Sequence, residues 1–103
     1  MNFAIIEDIR QLKRQLIPDE KLILFGSQAR DDARSNSDWD LLLLLKKNEI
    51  TLEDEQFYAY PFTRLGWNYG LYFSVKLYSV DEWKKRSFTP FYKNVETDGI
   101  QIA

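Results

Sequence analysis

Near the start of the chain, Ile5, Ile6, Ile9, Leu12 and Leu16 recur at helical spacing with charged residues between them. Asn2 stands where an N-cap belongs and Pro18 closes the element, so the pattern predicts an amphipathic helix. The apolar run Lys21-Leu22-Ile23-Leu24-Phe25 stops abruptly at Gly26-Ser27, as a buried strand entering a turn would, and a short helix from residue 28 to about 33 should follow. After the polar stretch Ser35-Asn36-Ser37-Asp38-Trp39-Asp40 come five consecutive leucines, 41–45, bounded by Lys46-Lys47-Asn48. So short an apolar run between polar borders predicts a strand covered on both faces. Thr51-Leu52-Glu53-Asp54 fits a capping box that opens a helix to about Leu65, with Pro61 expected to kink or shorten it. Residues 71–78 alternate: Leu71, Phe73, Val75 and Leu77 face one way, Tyr72, Ser74, Lys76 and Tyr78 the other, which predicts a strand with one polar-lined face. Ser79 or Asp81 can cap a helix around residues 82–86, and residues 89–95 read as a helical turn docked by its aromatic side chains.

Helices interleaved with strands place the chain in the α/β (α+β) class, and 103 residues without a linker or repeat predict a single domain, 1–103. The absence of histidine excludes Ser-His-Asp and Cys-His triads and every imidazole base, and the absence of cysteine excludes thiolate metal sites and thiol redox chemistry. Catalysis must come from carboxylates, lysine, arginine, hydroxyls, backbone amides or a hard cation. A net charge of -2 argues against a general nucleic-acid or anionic-membrane binder, although a local basic patch remains compatible with it. Acidic residues stand where a secretory signal would be basic, and no apolar run approaches a membrane span, so a soluble, cytoplasmic protein with no membrane association is expected.

Two short motifs carry the candidate chemistry. Asp38 and Asp40, two residues apart at the start of a strand, point to one face with Trp39 opposite, and their mutual repulsion invites a hard cation such as Mg²⁺ or Mn²⁺. Gly26 lets the backbone approach a ligand, and the helix beginning at Ser27 offers free N–H groups and a hydroxyl to a phosphate. Either motif alone is ordinarily a turn, a cap or a solvated loop; the joint arrangement describes a nucleoside triphosphate held by its metal at the aspartates and by its phosphates at the turn.

Gly26-Ser27, ten intervening residues and Asp38-Trp39-Asp40 reproduce the GSx10DxD signature of the nucleotidyltransferase superfamily that includes DNA polymerase β. The run Leu24-Phe25-Gly26-Ser27-Gln28-Ala29-Arg30, followed by Ser37-Asp38-Trp39-Asp40-Leu41, resembles the minimal nucleotidyltransferases, and the resemblance continues to Gly99-Ile100. It implies the nucleotidyltransferase fold, a small mixed β-sheet with helices packed against it. It also implies Mg²⁺- or Mn²⁺-dependent transfer of a nucleoside monophosphate, AMP from ATP in the reading taken here, to a hydroxyl with release of pyrophosphate. Asp38 and Asp40 would be the catalytic metal ligands, Gly26 and Ser27 would hold the triphosphate, and Arg30, one turn on, is a lesser candidate for a phosphate contact, its plainer reading being solvated surface. Several small members are antitoxins that partner HEPN-type toxins, so the acceptor is expected on a partner protein.

One position departs from the pattern. Family enzymes place a third carboxylate on the next strand, where this sequence has Ser74, with Lys76 two residues on along the same face. The alternative is therefore a catalytically weakened, non-enzymatic binding partner or antitoxin, and a nucleotide-sensing module is a third possibility. Phe57, Tyr58, Tyr60, Phe62, Trp67, Tyr69 and Tyr72 exceed what one small core easily hides; the plain reading is core with ordinary exposure, the functional one a protein interface. Arg34 and the run Lys84-Lys85-Arg86 read as solvated surface, or, for the run, as a dock for an acidic partner.

Overall fold

A computed structural model describes residues 2–34 and 37–102; Ser35 and Asn36 of the expected polar connection, and Met1 and Ala103, lie outside the described residues. The element order is α1 (Phe3–Leu16), β1 (Lys21–Phe25), α2 (Gly26–Arg30), β2 (Trp39–Leu45), α3 (Leu52–Asp54), a π-helical turn (Glu55–Ala59), α4 (Tyr60–Asn68), β3 (Phe73–Ser79), α5 (Val80–Lys85), α6 (Pro90–Asp98) and β4 (Ile100–Ile102). The strands form a four-stranded mixed sheet in the order β3-β2-β1-β4. β1 runs antiparallel to β2 and β4, and β2 runs parallel to β3.

Strand alternation divides the core between the two faces of this sheet. Leu22, Leu24, Trp39, Leu41, Leu43, Leu45, Phe73 and Leu77 point to one side, where Ile5, Ile6 and Ile9 of α1 and Phe62 of α4 cover them. Leu42 and Leu44 point to the other, against Trp83 of α5 and Val95 of α6, with Ile23, Phe25, Phe91 and Tyr92 completing the layer. The leucine run is thus buried on both faces because helices lie on both.

Caps set the helix starts. Asn2 Oδ1 accepts from the amides of Ala4 and Ile5 at 3.1 and 3.2 Å, Ser79 Oγ from Glu82 at 3.0 Å, and Thr89 Oγ1 from Tyr92 at 3.2 Å. The capping box forms with Thr51 and Asp54 as expected. Pro61 neither shortens nor ends the helix, which continues to Asn68. The backbone widens into the π-helical turn just before it, with the Tyr60 amide donating to Glu55 five residues back, and the wider turn accommodates a residue that has no amide hydrogen and whose ring crowds the preceding turn.

Two further expectations are corrected. α2 starts at Gly26 and ends at Arg30, because Asp31 adopts a left-handed conformation (φ 61°). The C-terminal segment is a longer helix than a single turn and is followed by β4, whose Ile102 pairs with Leu22 and is buried in the first core. Among the described residues, no helix is long and apolar enough to cross a membrane.

Candidate active site

The end of β1 and the beginnings of β2 and β3 meet at one end of the sheet. Phe25 pairs with Asp40, and Asp40 with Ser74, so the three lie side by side across β1, β2 and β3. Trp39, on the opposite face, is buried and packs on Phe73 with ring centroids 5.8 Å apart. Asp40 is thereby turned away from the main core, half-buried, and Asp38, just before the strand, is exposed.

Gly26 closes β1 with a left-handed φ of 74°, a conformation that disfavours any residue with a β-carbon. It also lies against Asp40, whose carboxylate would overlap a β-carbon placed there. The clearance that sequence reasoning reserved for a ligand is used by the aspartate itself, which joins the two motifs into one unit. Ser27 follows in the first turn of α2, where no side chain caps the backbone amides. Gln28 Nε2 donates to the Ser37 carbonyl at 3.3 Å and so ties α2 to the segment that delivers Asp38. Nothing in its spacing had marked Gln28 for that role.

Burial pushes the Asp40 carboxyl above its ordinary value, the neighbouring Asp38 charge adds to the rise, and Lys76 and then Arg30 oppose it. Among the described residues, neither aspartate receives a hydrogen bond. A pair of carboxylates with unspent oxygen lone pairs, one held above its ordinary pKa by burial and then by its neighbour, fits a hard divalent cation. No group of three His, Cys, Asp or Glu residues is assembled among the described residues, so further ligands would come from phosphate and water oxygens. Ser74 occupies the place beside Asp40 that the family pattern assigns to a third carboxylate.

Arg30 lies near the pair but is engaged elsewhere, with Nε 3.2 Å from Asp32 and Nη1 3.8 Å from Asp98. A groove of about 750 Å³ sits at the opposite end of the sheet between Lys21, Leu44, Lys46 and Trp83, away from the aspartates. Of the aromatic cluster, Phe62 is core and Tyr58 half-buried, whereas Phe57, Tyr60, Trp67, Tyr69 and Tyr72 are exposed.

Residues 5–99 match the nucleotidyltransferase domain family. The chain is 33% identical, over 95% of its own length and 98% of the relative's, to a protein of Methanocaldococcus jannaschii named as a candidate protein adenylyltransferase. It superposes with a TM-score of 0.61 and 23% identity on a toxin-antitoxin crystal structure with AMP-PNP, covering 95% of this chain and 72% of that one. A second toxin-antitoxin structure, MntA-HpeT carrying a Y104A substitution, gives a TM-score of 0.58 at 22% identity, covering 100% and 72%. These two likenesses establish the fold, and the family match with the full-length relative establishes descent: the chain belongs to the nucleotidyltransferase domain family, as a minimal nucleotidyltransferase.

Proposed function

We propose that this protein transfers AMP from ATP to a hydroxyl group of a partner protein, in the manner of an antitoxin acting on a HEPN-type toxin. The observation that carries the reading is the packing of the Asp40 carboxylate on Gly26, which brings the aspartate pair and the Gly26-Ser27 turn into one site. The acceptor oxygen attacks the α-phosphorus, the bond from that phosphorus to the bridging oxygen of pyrophosphate breaks, and the hydroxyl proton leaves to solvent. Asp38 and Asp40 would hold Mg²⁺ or Mn²⁺, which supplies Lewis-acid polarisation of the phosphoryl oxygens. Ser27 Oγ and the uncapped amides of α2 orient the triphosphate, and Arg30 would have to leave Asp32 or Asp98 to join them. The full-length relative named as a candidate protein adenylyltransferase supports AMP and a protein acceptor, and the toxin-antitoxin neighbours support the setting. The exposed aromatic residues of the π-helical turn and α4 suit a protein partner. ATP supply sets the reaction in the cytoplasm.

A second reading, contact-only neutralisation of the partner, is favoured by one observation: Ser74, not a carboxylate, faces Asp40. Calorimetric titration of ATP with Mg²⁺ or Mn²⁺ into wild type and an Asp38→Asn, Asp40→Asn variant separates the two. Metal-dependent binding lost in the variant, followed by label transfer from α-labelled ATP to the partner, is the expected result. Folded wild type that binds none of the common triphosphates, with or without its partner, rejects transfer in favour of contact.

A further inference from the structure

Lys76 is exposed on β3, on the sheet face that carries Asp40 and Ser74. It sits two residues beyond Ser74, which by strand geometry puts its Cα about 8 Å diagonally from that of Asp40, within the reach of a four-carbon side chain. Among the described residues it has no ion-pair or hydrogen-bond partner. Arg30, the other cation whose charge reaches Asp40, is already held by Asp32 and Asp98. Among the described residues, the free positive charge beside the aspartate pair is therefore that of Lys76.

Building on the nucleotidyltransferase reading, we propose that Lys76 is the second cation of this site. Its ammonium rests on the phosphoryl oxygens beside Asp40, and the protein takes one divalent ion per bound triphosphate. A lysine serves on a phosphoryl group in the same electrostatic capacity as a metal ion, neutralising charge that builds on the transferring oxygens. It also repels a second dication, and protonated it has no lone pair with which to bind one. The position that lacks a third carboxylate is thus occupied in charge as well as in space.

The test is electron paramagnetic resonance titration of Mn²⁺, with calorimetry of β,γ-imido-ATP, on wild type and on Lys76→Ala, Lys76→Arg and Lys76→Asp variants whose melting matches wild type. One Mn²⁺ per nucleotide complex is expected for wild type, and a second, weaker one for Lys76→Asp, where a negative charge replaces the repelling ammonium. Lys76→Ala should bind the analogue about ten- to a hundredfold more weakly, the loss of one charge-assisted hydrogen bond, and Lys76→Arg should recover most of that loss. Two Mn²⁺ in wild type, or unchanged affinity in Lys76→Ala, overturns the assignment while leaving the nucleotide site standing. Wild type that binds neither analogue nor Mn²⁺ overturns the nucleotidyltransferase reading and this one together. Should the variants not fold, the wild-type Mn²⁺ count decides alone.

Discussion

Gly26→Ala is the sharpest test of the claim that one glycine joins the two halves of the site. The substitution forces a β-carbon into a left-handed backbone, which costs about 1–2 kcal/mol, and onto the Asp40 carboxylate. That carboxylate is the end of a short side chain and can rotate aside, at roughly 0.5–1.5 kcal/mol for leaving its rotamer. The variant should therefore lose about 2–3 kcal/mol, a fall in melting temperature of roughly 10–20 °C for a domain of this size. In an Asp40→Ala background the overlap is gone and only the backbone cost remains, so a double-mutant cycle should return a coupling of about 1 kcal/mol. Thermal melts of the four proteins measure the cycle, and calorimetry below the melting point of Gly26→Ala measures its ATP binding, which should be lost because the carboxylate has moved. A coupling of zero would refute the packing of Asp40 on Gly26. Wild-type nucleotide binding by a folded Gly26→Ala protein would refute its importance to the site.

Three further outcomes follow from burial and charge. Since the folded protein raises the Asp40 pKa, it binds more protons there than the unfolded chain, and stability falls as pH rises past 3.8, levelling above the raised value. Asp40→Asn should therefore melt above wild type at neutral pH in EDTA while losing metal-dependent ATP binding; a lower melting point would show that the ionised carboxylate is not a burden. The Lys47 ammonium, by hydrogen bonding to Asp54, holds that carboxyl below its ordinary value, assisted by Thr51, so its contribution is present above 3.8 and lost as pH drops through the lowered value. The acid side of the pH–stability profile should flatten in Asp54→Asn, and an unchanged profile would dismiss the pair as a source of stability. Leu43 is fully buried, so Leu43→Ala should cost about 3–4 kcal/mol by chemical denaturation, and a loss below about 1 kcal/mol would mean the site collapses around the missing side chain.

Helix α1, strand β1, the leucine strand and the alternation of β3 were legible because each is a local pattern, and the Ser79 cap was legible as one of two candidates, the other being Asp81. β4 was not. Three residues, Ile100-Gln101-Ile102, carry too little periodicity to announce a strand, and their conformation follows from the open edge of β1. The π-helical turn was hidden likewise, since Pro61 marks a backbone problem without saying whether the helix ends or widens. At the site, the spacing of Gly26, Ser27, Asp38 and Asp40 was readable. The Asp40 carboxylate over Gly26 and the Gln28 tie to Ser37 are contacts across the fold that no spacing encodes.

Two like charges at the start of β2 must be held together by something other than their own interaction. A pleat apart, about 7 Å, they repel by roughly 0.6–2.4 kcal/mol for effective dielectric constants between 80 and 20. Trp39 stands between them in sequence and is 3% exposed on the opposite face. Burying an indole of this size is worth about 4–6 kcal/mol at 25 cal/mol/Å². The burial term exceeds the repulsion, so the strand keeps Trp39 inward and Asp40 outward, and a one-residue slip, which would exchange them, is excluded. Phe73, paired with Trp39 across the parallel ladder, fixes the same register for β3 and sets Ser74 beside Asp40. The charged face is thus positioned by the apolar face behind it. Trp39→Ala should therefore damage metal-dependent nucleotide binding from the side of the sheet covered by α1 and α4, whereas Trp39→Phe, which keeps an aromatic ring against Phe73, should preserve it.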